Sequence, residues 1–435
     1  MINIGIIGFG TVGSGTVKIL FGNRDILRER LGFEINLKRI VARNIRKDRG
    51  IKVPEGVLTT DVRAVLDDPD IQIVVELIGG INPAKDYILN AISNGKHVVT
   101  ANKALLATEG DEIFSAARKA GVEIGFEASV AGGIPIIKVI REGLVANRIK
   151  AVYGIINGTS NYILTKMTEE NVEFSDALKE AQRLGYAEAD PTLDIEGSDS
   201  AHKLAILAFL AYGIPFPFNE IYTEGISEIS PLDIGFASEF GYKIKLLAIA
   251  KSTEGGIELR VHPTMIPKDY LISKVDGPFN AVYIDGDATG STLYYGRGAG
   301  SLPTGSAVVS DIVNIARDIR KNVRERLPII VKTAKDVRIK PIEDITSKYY
   351  FRFSALDKPG VLSKISGILG NYNISIAQVI QKGRKVGEAV PLVVLSHEAK
   401  ERDVRQALEE IDRLKVVMGK TTFIRVERRQ ESQDE

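Results

Sequence analysis

The first 130 residues alternate short apolar runs with stretches of helical period. Met1 to Gly8, Leu37 to Ala42, Ile71 to Ile78, His97 to Ala101 and Val122 to Glu127 read as strands bound for a core. Amphipathic segments separate them, which predicts a parallel sheet covered by helices on both faces. Past Gly132, Gly133, Ile134 and Pro135 the pattern changes to longer helical segments, Ser175 to Leu184 and Ser200 to Tyr212, mixed with strands over Ala151 to Ile156 and Ile257 to Pro263. A second domain begins there. A helix is expected over Ser310 to Asn322, with Ile312, Val313, Ile315, Ala316 and Ile319 on an apolar face suited to packing back onto the first domain. Lys335 to Lys348 is polar, carries Pro341 and reads as a linker. A fresh strand at Tyr349 opens a third domain.

Composition sets the limits of this picture. With 435 residues, 44% hydrophobic and 26% charged, the chain can build two or three domains with substantial cores. A formal net charge of +1 draws it neither to nucleic acid nor to an anionic membrane. The most apolar stretch, Leu204 to Tyr212, is far shorter than the roughly 20 residues of a membrane span and reads as a buried helix. No basic segment precedes an apolar run at the N-terminus, so a cytoplasmic location is expected. The absence of cysteine excludes disulfides, thiolate metal sites and a thiohemiacetal with an aldehyde.

The first strand runs directly into Gly8, Phe9, Gly10, Thr11, Val12 and Gly13. In a dinucleotide fingerprint the first glycine permits a tight turn and the second lets the backbone approach a pyrophosphate. The third allows close helix packing, and the helix N-terminus attracts the anion. In this strand and helix setting the motif implies a Rossmann-type, doubly wound domain over residues 1–130 plus about 302–335. At the end of the second strand, where an acidic residue would meet a ribose hydroxyl, stand Ala42, Arg43 and Asn44, with Arg46 and Lys47 beyond. That favours NADP over NAD; a solvated basic loop is the plainer alternative.

Hydride transfer to a carbonyl leaves negative charge on oxygen, so a proton donor must stand close by. In the segment from Gly185 to Lys203, the carboxylates Glu188, Asp190, Asp194, Glu196 and Asp199 precede one lysine. A helix starting near Ser198 would set Asp199 and Lys203 at i and i+4 on one face, and the apolar run after Lys203 implies burial. The spacing does not suit a calcium loop; an amino group is the better counter-charge, with Glu188 or Asp199 as its partner. Lys103 follows a strand at the carboxyl edge where open α/β sheets bind ligands, although spacing alone reads it as a surface lysine. His202 points elsewhere and reads as a packing or surface residue.

With these motifs, joined by Glu127 to Pro135 and by Asn157, Gly158 and Thr159 through Ile163, the chain resembles the homoserine dehydrogenases over nearly its whole length. The resemblance implies reversible NAD(P)-linked reduction of L-aspartate 4-semialdehyde to L-homoserine, on the route to threonine and methionine. It makes Lys203 the proton donor, with Lys103 assisting near nicotinamide and substrate. Glu188 and Asp199 would bind the amino end, and Gly158, Thr159, Tyr186 and Asp194 would line the pocket of a substrate-binding and dimerisation domain over 131–301. It also implies cofactor contacts at Gly298 and Gly300, and a monovalent cation, usually sodium, on Glu127, Val130, Gly132 and Ile134. Residues 349–428, with Leu356, Asp357, Pro359 and Gly360, resemble a ferredoxin-like ACT module that either binds an amino acid such as threonine or only dimerises. A homodimer or higher homo-oligomer is expected, without nucleic-acid or membrane partners. The competing readings are a nucleotide and amino-acid sensor without turnover, and another amino-acid dehydrogenase of the same build.

Overall fold

The computed structural model of the chain describes residues 1–323, 337–382 and 388–427. They form two compact units: Met1–Gly158 with Asp199–Ile221 and Pro278–Val337, and Thr159–Ser198 with Tyr222–Gly277 and Arg338–Glu435. The stretch 131–301 is therefore divided between the units. Aromatic packing explains why Asp199–Ile221 joins the first: Phe209 lies 4.2 Å from Phe216 and 5.4 Å from Phe114, which sits on the helix Lys103–Ala120.

The first unit is built on β1 (Ile2–Ile7), β2 (Ile35–Val41), β3 (Leu58–Thr59), β4 (Ile73–Glu76), β5 (His97–Thr100) and β6 (Ile124–Gly125). They are parallel, in the order β3-β2-β1-β4-β5-β6. The winding reverses between β1 and β4, which opens a ligand crevice at the carboxyl ends of those strands. Near-continuous apolar runs suit strands buried on both faces; Ile4 and Ile6 on β1 and Val74 and Val75 on β4 are fully buried. The strand expected over Val122 to Glu127 is shorter. Glu127–Ser129 turns into a 3₁₀ helix, with the Glu127 N–H donating to the Asp311 carboxylate at 2.8 Å instead of to a ladder. Beyond the parallel sheet, Gly290–Arg297, Phe279–Gly286 and Ile149–Ile155 form an antiparallel set.

The helix expected over Ser310 to Asn322 runs over Ser301–Lys321. Pro303 does not prevent the earlier start, because N–H groups in the first turn have no intrahelical partner to lose. Its Ala307, Val308, Ile312 and Ala316 join Ile2, Ile4, Ile6 and Val17 in one core. Two glycines let it meet the helix Thr11–Gly22. A Cβ on Gly15 would fall 1.9 Å from the Ser301 carbonyl oxygen, and one on Gly305 would fall 2.7 Å from the Gly15 backbone.

In the second unit the hairpin Tyr242–Thr253/Gly256–Pro267 continues through Thr422–Val426, Thr346–Leu356, Ala389–Ser396 and Ile376–Gln381. The last four strands with the helices Val361–Asn371 and Glu401–Asp412 make a βαββαβ module around Tyr349, Phe351, Phe353, Ile365 and Val404. Its first strand begins at Thr346 rather than Tyr349. The expected linker is ordered where it is described. Lys340 donates its N–H to the Ile257 carbonyl while Ile257 donates to Arg338, both at 2.8 Å. The remaining part of that linker, the tail of the first domain's return segment and Arg428 lie outside the described residues. Among the described residues no helix is long and apolar enough to cross a membrane.

The Gly15 contact yields a stability prediction. Gly15→Ala forces apart two helices that share the core, and overpacking of that kind costs about 1–3 kcal/mol. Chemical denaturation should show a lower midpoint than for the parent chain; an unchanged midpoint would remove this contact from the account of the fold.

Candidate active site

The glycine loop lies at the carboxyl end of β1. Gly8 has a φ of +110°, and a Cβ there would fall 2.6 Å from the Leu77 carbonyl. A Cβ on Gly13 would meet the Gly8 oxygen at 2.2 Å, whereas one on Gly10 would meet nothing within 4 Å. Gly10 also caps the helix Thr11–Gly22 without a side-chain hydrogen bond, and its first turn holds no acidic residue. An open backbone at a helix N-terminus is the cradle a pyrophosphate requires, so the loop fits a dinucleotide. Phe9 is buried, and Thr11 accepts from the Ser301 hydroxyl at 2.9 Å.

Arg43 is exposed past the end of β2, as are Asn44, Arg46 and Lys47. Arg49 instead folds back. Its Nε donates to the Phe9 carbonyl at 2.7 Å and its guanidinium lies 4.6 Å from the Phe9 ring centroid. Sequence reading passed over Arg49 because a run of neighbouring cations offers no pattern to single one out.

The Asp199–Lys203 pair expected from i, i+4 spacing forms on the helix Ser198–Tyr212, at 2.6 Å. The Lys203 Nζ also donates to the Ile156 carbonyl at 2.6 Å. Asp199 is buried and takes two further contacts: Asn157 donates to Oδ2 at 2.8 Å, and the Lys103 Nζ lies 3.1 Å from Oδ1. Burial alone would raise the Asp199 carboxyl; Lys203 and then Lys103 reverse this and hold it well below the usual carboxylate range. Lys103, which spacing alone left on the surface, thus joins the cluster with its side chain 41% exposed. His202 stacks on Phe218 at 4.4 Å, and burial lowers its pKa.

Lys103 is set in place by groups that the sequence did not single out. Asn102 caps its helix, accepting from the Leu105 N–H at 3.2 Å, and donates to the Gly80 carbonyl at 2.7 Å. Thr100 accepts from the Asn102 N–H at 3.0 Å and donates to Glu76 at 2.7 Å. Glu76, fully buried at the end of β4, also accepts from the Ile78 and Gly79 N–H groups. A lone glutamate in an apolar strand carries no spacing signal, so only the fold exposes this chain of bonds.

The loops at 130–134 and 297–300 meet. Gly133 donates to the Arg297 carbonyl at 2.9 Å, and a Cβ on Gly132 would fall 2.6 Å from the Gly298 oxygen. Gly298 lies against Asn280, whose amide would be 2.0 Å from a Cβ there. Gly300, with a φ of +125°, precedes the helix Ser301–Lys321. Asn280 is buried, and its Oδ1 has no hydrogen-bond partner among the described residues. Unpaired buried acceptors are uncommon, and no motif had pointed to this one.

Glu127 is buried, accepting from the Ile137 and Lys138 N–H groups at 2.8 and 2.9 Å. Burial pushes its carboxyl up to about 7, and burial with the Glu127 charge pushes Asp311 up to about 8. Val130 is extended and buried, and the Ile134 carbonyl already accepts the Ile136 N–H at 2.8 Å. Among the described residues no group of three His, Cys, Asp or Glu is placed to hold a metal ion. A site here would rest on one carboxylate and carbonyls.

In the second unit, Thr159 donates to the Tyr186 carbonyl at 2.6 Å and Ser160 donates to the Asp194 carbonyl at 2.7 Å. These bonds tie the helix Gly158–Glu170 to the acidic segment. Tyr186 is 43% exposed and lies 4.8 Å from the Tyr162 ring. Glu188 is exposed and Asp194 half-buried.

An anion cradle at the switch point of a doubly wound sheet, in the same unit as a buried Asp–Lys pair, defines a dinucleotide-dependent enzyme. Residues 8–127 match the family model described as the homoserine dehydrogenase NAD binding domain, 135–313 that of homoserine dehydrogenase, and 349–416 that of the ACT domain. The chain belongs to the homoserine dehydrogenase family, and its cofactor is a nicotinamide dinucleotide. It is 48% identical to the homoserine dehydrogenases of Neisseria gonorrhoeae and Pseudomonas aeruginosa, each alignment covering 98% of this chain and 98% and 99% of theirs. The crystal structure of a homoserine dehydrogenase from Thiobacillus denitrificans is 51% identical with a TM-score of 0.93, over 98% of both chains. A hyperthermophilic archaeal homoserine dehydrogenase mutant in complex with NADPH is 30% identical with a TM-score of 0.62, over 72% of this chain and 97% of that one.

Proposed function

We propose that the chain catalyses the reversible NAD(P)-linked interconversion of L-aspartate 4-semialdehyde and L-homoserine. The observation that carries this reading is the buried Asp199–Lys203 pair at 2.6 Å, within a chain whose relatives share the family name over full length. When bound, the dinucleotide supplies the hydride for the aldehyde carbon. Gly8, Phe9, Gly10, Thr11, Val12 and Gly13 would hold it, with Gly298 and Gly300. Lys203 donates the proton that turns the carbonyl oxygen into a hydroxyl, and takes it back in the reverse direction. Asp199 orients that ammonium and shares its charge with Lys103, which faces the reacting group. By the family resemblance, Glu188, Asp194, Tyr186 and Thr159 would recognise the amino-acid end. A sensor without turnover has no use for a lysine oriented in this way, and another amino-acid dehydrogenase would need a different match across the acidic segment.

NADP is the favoured cofactor, because Arg43 is exposed at the strand end where a 2′-phosphate would sit. A monovalent cation at Glu127, Val130, Gly132 and Ile134 would offset the burial that pushes the Glu127 carboxyl up and, with the Glu127 charge, that of Asp311 beside it. The ACT module suits an amino-acid effector such as threonine, at the turn before Gly360, which has a φ of +85° and precedes the helix Val361–Asn371. Ile376–Gln381 ends the described strand order and leaves Val379 38% exposed, which suits pairing in a homodimer.

Homoserine-dependent reduction of NADP and NAD, with and without threonine, tests the reading; no rate with homoserine would sink it. Lys203→Ala should lower kcat by about 100-fold or more with little change in cofactor affinity, and unchanged turnover would refute the assigned role. Arg43→Ala should raise KM for NADP by about tenfold and leave that for NAD unaltered; equal changes would detach Arg43 from the phosphate. Replacing choline by sodium should raise Tm in the parent chain and not in Glu127→Gln, since only a bound ion stabilises by mass action. The same rise in both would move the cation elsewhere.

A further inference from the structure

The second unit contains an ionic network that no part of the proposed chemistry uses. Arg425, on the ACT strand Thr422–Val426, is 2% exposed. Its Nε and Nη2 fork onto the Glu401 carboxylate, the former at 2.9 Å, and its Nη1 donates to Glu224 at 2.8 Å. Glu401, fully buried, also accepts from Arg405 and from the Tyr349 hydroxyl, each at 2.9 Å. Both guanidiniums cover the ring of Tyr222, at 5.1 Å for Arg425 and 5.6 Å for Arg405. The Tyr222 hydroxyl accepts from Arg405 and donates to Glu224, each at 3.0 Å. Two arginines thus face two carboxylates, with Arg425 and Glu401 buried and Arg405 and Glu224 partly exposed; a planar fork of this kind fixes its partners in direction as well as distance.

What is fixed is the segment Tyr222 to Ser227. Tyr222 and Thr223 pair with Arg260 and Val261 of the long hairpin, and Glu224 donates its N–H to the Val261 carbonyl. The next residues grip the acidic segment. Ile226 donates its N–H to the Ile195 carbonyl at 2.9 Å and Ser227 its hydroxyl to Glu196 at 2.6 Å. Gly225 lies so close that a Cβ would fall 2.6 Å from the Ile195 oxygen. On its other side that turn is tied by Ser160 to the Asp194 carbonyl. Asp194 is therefore held between the helix that carries Thr159 and a strap anchored on the ACT module.

We propose that Arg425 is a positioning residue for amino-acid substrate binding: from the ACT module it sets the Tyr222–Ser227 strap, and through the strap the Asp194–Gly197 turn. The inference rests on the reading that Asp194 and its neighbours receive the amino-acid end of the substrate. It gives the ACT module a part in substrate binding with no effector present, and it makes the strap the route by which strain at that module reaches KM.

The test uses the full-length enzyme with Tyr222→Phe, Glu224→Gln and Arg425→Lys. The first two alter side chains that are partly exposed and carry the test if the third does not fold. Losing one charge-assisted hydrogen bond should raise KM for homoserine by about fivefold or more, with KM for the nucleotide unchanged. The effects of Arg425→Lys and Glu224→Gln should not add in the double variant. Amide hydrogen exchange over residues 192–198 should quicken in each variant without any substrate. Homoserine KM unchanged in all three, a parallel rise in both KM values, or unaltered exchange in that segment would overturn the proposal. A parent enzyme that ignores homoserine would instead overturn the assigned reaction, and the exchange measurement would still decide the strap.

Discussion

A buried carboxylate shared by two lysines is the constraint on which the first unit turns. Asp199 can remain ionised out of water only because Lys203, Lys103 and Asn157 all reach it, and each comes from a different element. Lys203 is one helical turn along the same helix, Asn157 follows the strand Ile149–Ile155, and Lys103 opens the helix after β5. Removing an ion from water costs several kcal/mol unless geometry and hydrogen bonds return it, so these elements must arrive together. The supporting bonds through Asn102, Thr100 and Glu76 follow from the same need, because an exposed lysine is otherwise free to swing away from the pair.

Backbone proximity is the second constraint. Gly8 and Gly13 clear the loop over the sheet, Gly15 and Gly305 bring two helices into contact, and Gly132 and Gly298 bring two loops into contact. At Gly8, Gly13, Gly15, Gly305 and Gly132 a side chain would occupy space that a backbone already fills, and at Gly298 it would meet the Asn280 amide. Gly10 differs, since its missing Cβ faces open space, which is what a ligand rather than a packing neighbour requires.

The second unit is organised differently. Its ACT strand Thr422–Val426 pairs in parallel with the hairpin strand Gly256–Pro267, at Thr264 with Arg425 and at Met265 with Val426. The module therefore extends the hairpin's sheet, and Arg260 and Lys251 secure the join by binding the buried Glu427, while Arg352 binds the buried Asp233 of the helix Pro231–Glu239. Breaking one member of such a pair leaves an uncompensated charge in the interior.

The sequence by itself determined the period-two and period-3.6 elements, the parallel sheet, the glycine loop after β1 and the Asp199–Lys203 pair, because each rests on spacing within one short segment. It also located the return helix, although nine residues late, since Gly300 to Ser310 has no apolar periodicity until Ala307 and Val308 meet the core. Tertiary structure alone decided what depends on residues far apart in the chain. It drew Lys103 to a carboxylate 96 positions away, buried Glu76 against Thr100, left the Asn280 Oδ1 without a hydrogen-bond partner among the described residues and joined Arg425 to Glu224. A charge has no direction in a sequence. Its partner is chosen by which strand end or helix terminus the packed core brings within about 3 Å.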